Sequence, residues 1–473
     1  MRRWAVALIL LTLLVGCGGA SKPTSTPTVV PTPIVVPTPT VAPTQAAEAI
    51  PTVVPSIVPA TPTVAPTPTV APMPTEIPPA TPTSAPALPP TDVPPTATAV
   101  PPTAIAATAA PAVTSPSDVL AAQHVGDNGN GYGFNVWGLS DSASARTNVY
   151  ANVQGAGFGW MRQQVSWAAM EPQRGTFRST TATQLDQFVS GASAKGLNVM
   201  LSVVKSPDWV GAKGGLPTKT QDFSDFMSFL TQRYAGRVQA YEIWNEENYA
   251  IETGGKVNVA AYLPILRAGY QAVKGADPTA VVVFGGLTPT GINDPSIALN
   301  DVEYLRQIYA LNGGEIKQYY DVLGAHPGSN CNPPDTSYPD NPATTPCGTD
   351  PDGGRSYTKD NSFYFKRILE IRKVLEDAGE GGKKIWLTEF GWTTANQAPG
   401  YGYGKFVSEQ QQAQYLVRAF ELGKSYPWMG VMFVWNLNFA TITQPSDEKY
   451  PWAVLKSDWS PRPAYTALKT MPK

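Results

Sequence analysis

The sequence predicts an α/β fold, a single (β/α)8 barrel placed after a disordered Pro/Thr-rich linker. Three observations predict it. From about residue 119, short apolar runs alternate with amphipathic stretches of helical period. The alternation repeats through eight units over about 350 residues, which suits such a barrel. Polar residues recur where the apolar runs end, the place where a parallel barrel gathers its functional groups. An open, doubly wound sheet is the structural rival, but no GxGxxG opens a helix after the first strand.

Taken in chain order, residues 1–17 read as an export leader. Arg2 and Arg3 precede an apolar stretch of about a dozen residues and a small-residue exit, too short and one-sided for a stable spanning helix. The exit Leu14-Val15-Gly16-Cys17 resembles a bacterial lipoprotein box. That resemblance implies lipidation at Cys17 and a durable anchor at the extracellular face of the envelope, since lipoproteins carry several acyl chains. An ordinary cleaved signal with an incidental cysteine is the alternative.

Residues 18–117 repeat loosely as TPTVAP, PTPTVV and PPTATA, and 27 of the 48 prolines lie between residues 21 and 120. Proline fixes φ and removes a backbone donor, so this stretch is expected to be an extended polyproline-like stalk. At about 3.1 Å per residue its full reach is on the order of 300 Å.

Residues 118–473 form the barrel domain. Candidate strands are 132–137, 158–165, 197–204, 238–245, 280–286, 319–326, 384–389 and 430–436, each followed by a helix or a helix-sized spacer. Several of the helical patterns end in Gly. Net charge is −2 with no basic block, so nucleic-acid binding has no electrostatic footprint. Eleven of the twelve tryptophans lie after residue 130, which fits a large core and equally a site that stacks sugar rings.

Reading the strand ends gives Arg162 and Gln164, Asn245-Glu246, His326, Glu389, and Trp435-Asn436. A barrel brings together Glu246 and Glu389 despite their distance in sequence. Paired carboxylates about 5–5.5 Å apart are what a retaining glycosidase needs, one to protonate the leaving oxygen and one to attack the anomeric carbon. Glu242 alternates with Glu246, so it is expected inside the barrel, paired with a base such as Arg162. Glu247 reads as an exposed charge.

IWNE at 243–246 and WLTEFGW at 386–392 resemble the two catalytic strand ends of clan A glycoside hydrolases, the "4/7" barrels. WMRQQVSW on strand two, AHP on strand six, VWN on strand eight and the late RPAY extend the likeness over about 130–470, with families 39 and 5 the most similar in texture. The resemblance implies that Glu246 is the acid/base and Glu389 the nucleophile. It implies that Asn245 bonds the sugar 2-hydroxyl, that Arg162 sits beneath the nucleophile, that His326 lines the site and that Trp435 forms its floor. Tyr132, Trp137, Trp209 and Trp392 are further candidates for the cleft wall. No cofactor or metal is expected; a polysaccharide or oligosaccharide substrate and a monomer are.

Two departures stand out. Relatives usually carry proline where this chain has Glu247, and a tyrosine where it has Gly328. The missing tyrosine keeps open a non-catalytic sugar-binding barrel; a structural envelope protein is the other rival. Cys331 and Cys347 form an even pair in a Pro- and Asp-rich loop, and a disulfide there is expected to contribute about 3 kcal/mol. The Asp350–Gly354 run lacks the ligand spacing of a calcium loop and reads as a turn. His124, at the linker edge, is expected to be inert.

Overall fold

The computed structural model describes residues 115–127, 131–140, 142–212, 214–328, 330–338 and 361–473. The expected leader, lipidated Cys17 and most of the stalk, together with Cys347 and the Asp350–Gly354 run, lie outside the described residues. Among the described residues no helix is long and apolar enough to cross a membrane.

The strands β1 (Tyr132–Asn135), β2 (Trp160–Ser166), β3 (Asn198–Val204), β4 (Ala240–Ile243), β5 (Val281–Leu287), β6 (Val322–Ala325), β7 (Ile385–Phe390) and β8 (Met429–Val434) close a barrel. Every pairing is parallel, and β1 meets β8 with Tyr132 opposite Met432. The predicted (β/α)8 barrel is what the chain forms, and each of the eight expected strands is present. Helices α1 (Ala143–Gly155), α2 (Ser179–Ala194), α3 (Thr220–Tyr234), α4 (Val259–Ala276), α5 (Asp301–Ala310), α6 (Arg367–Asp377), α7 (Glu409–Ser425) and α8 (Pro463–Thr470) follow the strands in turn. A short antiparallel pair, Asn293–Asp294 with Ala298–Leu299, decorates the loop after β5.

Strand periodicity sorts the side chains into two layers. Trp160, Met200, Ala240, Val283, Trp386 and Phe433 point inward and fill the lower barrel, with Trp160 edge-on to Trp386 at 5.1 Å. The alternate residues, such as Met161, Leu201, Tyr241 and Leu323, pack outward in the main core with the helices. A helix at Pro116–Ala121, started by a Ser115/Asp118 capping box, lays Leu120 and Ala121 against the inner layer.

Two strands break the period near their upper ends. Phe284 pairs with Leu323 and Leu287 with Ala325, so β5 carries one extra residue at Gly285-Gly286. Met432 pairs with Leu387 and Val434 with Phe390, so β7 carries one at Thr388-Glu389. Such bulges re-aim side chains at the rim of a barrel. Leu387 and Phe390 stay in the outer core, and Thr388 and Glu389 between them both reach the site.

Candidate active site

The site is built upward from one buried cation. Arg162 on β2, 1% exposed, points into the barrel and bonds five side chains. Its Nε donates to Glu242 Oε2 at 2.8 Å and its Nη1 to Asn135 Oδ1 at 2.7 Å. Nη1 also donates to Glu389 Oε1 at 2.6 Å, and Nη2 to Asn245 Oδ1 at 2.5 Å and Ser202 Oγ at 3.2 Å. A buried guanidinium is costly unless paired and fully hydrogen-bonded, and this one is. The expected interior pair of Glu242 with Arg162 is therefore present. Asn135 passes the fixation on, donating to the Thr388 carbonyl at 2.9 Å beside Glu389.

His326 follows β6 and spans the gap between the acidic residues. Its Nδ1 lies 3.2 Å from Glu246 Oε1 and its Nε2 3.0 Å from Thr388 Oγ1. The bulge in β5 makes room for it, because a Cβ on Gly286 would overlap both His326 and Thr388. Glu246 sits at the end of β4 with φ +54°, held by its backbone N–H on the Gly286 carbonyl at 2.9 Å. One oxygen of Glu246, one oxygen of Glu389 and a ring nitrogen of His326 all lie within 4.8 Å of one another. Those three residues could hold a metal ion, although Glu389 already meets the Arg162 cation.

Burial pushes both carboxyls up. At Glu246 the hydrogen bond and charge of His326, aided by Thr288 and Arg162, outweigh it and hold the carboxyl below the usual range. At Glu389 burial wins over His326 and Arg162, with the charges of Glu246 and Glu242 added to it, and the carboxyl is raised. Burial pulls the His326 imidazole down, but Glu389 and Glu246 outweigh it and raise its pKa above the ordinary value. Carboxyls this close titrate as a coupled pair. Of the two, Glu389 is the carboxyl pushed up and Glu246 the one held down, the reverse of what Arg162 alone would give.

Above these groups opens a cavity of about 530 Å³. Of the expected wall residues, Asn245, Glu246, His326, Glu389 and Trp435 line it. Trp209 does not: it packs edge-on to Trp167 at 5.6 Å and donates to the Glu171 carbonyl, outside the barrel. Trp392 is fully buried against Phe365 and Tyr415, its Nε1 on the Asn332 carbonyl at 2.9 Å. Tyr132 is an outward core residue against Phe158 and Phe420. Trp137 lies off the cavity, its backbone clamped by Asn438. In each case a long-range packing partner captures the ring. His124 caps backbone, with its Nε2 at the Tyr426 carbonyl, 3.1 Å away.

Glu247 is the largest correction, being 0% exposed rather than a surface charge. Left-handed backbone at Trp244 and Glu246 turns it away from solvent and seats it over Gly285, where a Cβ would overlap its carboxyl. Sequence reasoning also missed Tyr249, Glu252, Tyr401, Glu448 and Trp452, which reach the cavity from loops after β4, β7 and β8. Their one signal was their position downstream of a strand end.

The barrel is similar to a family 39 glycoside hydrolase from the gut symbiont Bacteroides cellulosilyticus WH2, with a TM-score of 0.52 and 21% identity over 72% of this chain and 63% of that one. It is similar also to a GH5_18 from Bifidobacterium longum subsp. infantis, with a TM-score of 0.52 and 11% identity over 72% and 77%. A GH5_18 from Streptomyces cattleya in complex with GlcNAc gives a TM-score of 0.50 and 15% identity over 72% and 79%. At these identities the likeness is one of fold, and the chain spans less than two thirds of the first of the three. A search of the curated proteins found no match. Residues 123–439, well over half of the chain, match the family described as cellulase, and the chain thereby belongs to glycosyl hydrolase family 5.

Proposed function

We propose that the protein is a retaining glycosidase that hydrolyses O-glycosidic bonds of a polysaccharide or oligosaccharide by double displacement. The observation that carries this reading is the approach of Glu246 and Glu389 oxygens to within 4.8 Å at two strand ends, nearer the roughly 5–5.5 Å of retaining enzymes than the roughly 6.5–9.5 Å of inverting ones. Glu389, oriented by Arg162, attacks the anomeric carbon and forms a glycosyl ester while Glu246 gives its proton to the departing oxygen. Glu246 then takes a proton from water, and the hydroxide oxygen displaces Glu389 with net retention.

For the first step Glu246 must carry a proton. The strongest restraint against that is His326, whose hydrogen bond and charge favour the Glu246 anion. Neutral His326 removes that charge and leaves Arg162 on Glu389, so this reading ties turnover to the protonation of His326. Asn245, held by Arg162, would face the sugar 2-hydroxyl, and Trp435 the ring.

The same reading includes the export leader, a lipid on Cys17, a stalk that carries the barrel at the cell exterior, a monomer, and a Cys331–Cys347 disulfide. It is tested with Glu246→Ala and Glu389→Ala on a panel of aryl β-glycosides and soluble glycans. Each variant is expected to lose turnover by orders of magnitude with the fold intact. Azide should rescue Glu389→Ala and give a glycosyl azide of inverted configuration. Full activity in either variant, or sugar binding by the parent protein with no reducing sugar released, would overturn the reading.

A further inference from the structure

We propose that Tyr401, on the loop after β7, is a substrate-positioning residue whose hydroxyl bonds the sugar at the cleaved linkage. The inference rests on the glycosidase reading and deepens it. Strand six and the loop after it give the cavity His326, Pro327, Asn330 and Phe363, none of which brings a hydroxyl. A Cβ on Gly328 would overlap the Ser362 carbonyl, so the path of the chain forbids any larger residue there. Arg162 engages Oε1 of Glu389, and among the described residues no hydrogen bond is made to its other oxygen. That leaves a place above the carboxylates for a further hydrogen-bond donor.

Tyr401 is placed to supply it. It lines the same cavity as Glu246 and Glu389. Its ring is fixed edge-on to Trp452 at 6.4 Å and against Tyr403 at 6.0 Å. A turn holds its backbone: its N–H donates to the Ala398 carbonyl at 3.1 Å, and its own carbonyl accepts from the Gly404 N–H at 2.9 Å. Gly400, at φ +88°, gives the left-handed residue that starts the turn. The phenol is part-buried, and its hydroxyl makes no hydrogen bond among the described residues, which leaves its donor and acceptor capacity for a ligand in the cavity it lines. Burial first, then the charges of Glu448 and Glu246, the Tyr249 hydroxyl and the charge of Glu389, keep the phenol protonated. A neutral hydroxyl there can bond a hydroxyl of the bound sugar, a contact that strengthens as the ring distorts toward the oxocarbenium-like transition state.

The test compares Tyr401→Phe and Tyr401→Ala with the parent protein on the aryl β-glycoside panel, with Glu389→Ala as the inactive reference. Tyr401→Phe keeps the ring stack and removes the hydroxyl. It is expected to lower kcat by about 10-fold or more with KM within about 3-fold and unchanged Tm, and to shift the pH profile of kcat/KM. Tyr401→Ala is expected to raise KM as well, because the ring is lost. Parent-like kcat/KM and pH profile in Tyr401→Phe, with Glu389→Ala inactive, would overturn this inference alone. Activity in Glu389→Ala, or an inactive parent protein, would overturn the glycosidase reading and this inference with it.

Discussion

Replacing Glu247 by glutamine isolates the cost of a carboxyl that the fold buries without a partner. Glu247 is 0% exposed, and both of its oxygens lack a hydrogen-bond partner among the described residues. Burial raises its pKa well above the glutamate value of 4.5 against the opposing pull of its own backbone N–H and the Tyr262 hydroxyl, and the charges of Glu242 and Glu246 add to the rise. The hydroxyls of Tyr262 on α4 and Tyr304 on α5 are its other polar neighbours, each itself buried and held protonated. The sign follows. Below about pH 4.5 the folded and unfolded chains both carry the proton and Glu247 adds no pH term. Above it the unfolded chain releases the proton and the folded chain keeps it. Stability then falls by about 1.4 kcal/mol per pH unit until the folded carboxyl also ionises. Glutamine has nearly the same shape and no such term. Urea unfolding of both proteins at pH 4, 5.5, 7 and 8 is expected to give equal stabilities at pH 4 and a growing advantage for Glu247→Gln above pH 5. A difference that does not change with pH, or a parent protein more stable at pH 7, would refute the burial argument.

Two further outcomes follow from the site's construction. Arg162→Met strands Glu242 in the barrel interior and is expected to cost about 3–5 kcal/mol, read as a fall in Tm. Adding Glu242→Gln should return part of that Tm without restoring turnover, because Glu389 still lacks its cation; full recovery of activity would contradict the role given to Arg162. Gly286→Ala forces a methyl against His326 and Thr388 and is expected to cost about 1–3 kcal/mol. It should also move the pH dependence of turnover, and a variant with parent-like Tm and pH profile would mean that the glycine is not a seat for His326.

Much of this was legible before any coordinates. The eight strands and their parallel order follow from short apolar runs alternating with helical stretches, and the inward turn of Glu242 from a period of two along its run. That pattern is local, since alternate residues of a strand must face opposite sides whatever they pack against. The likeness to clan A barrels rested on the strand ends that carry Glu246 and Glu389, and the family match covers them.

Other features needed the closed barrel. One extra residue in β5 and one in β7 shift the period at the rim, and no local pattern marks them, because each is defined by its pairing with a distant strand. Glu247 looked exposed because a charge at a strand end usually is. Its burial is set by left-handed backbone at Trp244 and Glu246 and by an empty Cα face on Gly285, 38 positions away. Trp137, Trp209 and Trp392 looked like cleft walls because an aromatic ring near a strand end suits core and cleft equally; helices and loops far along the chain decide which surface each ring covers. Tyr401 and Trp452 reach the cavity for the converse reason, since the path of a loop is fixed by the contacts it makes after the barrel has closed.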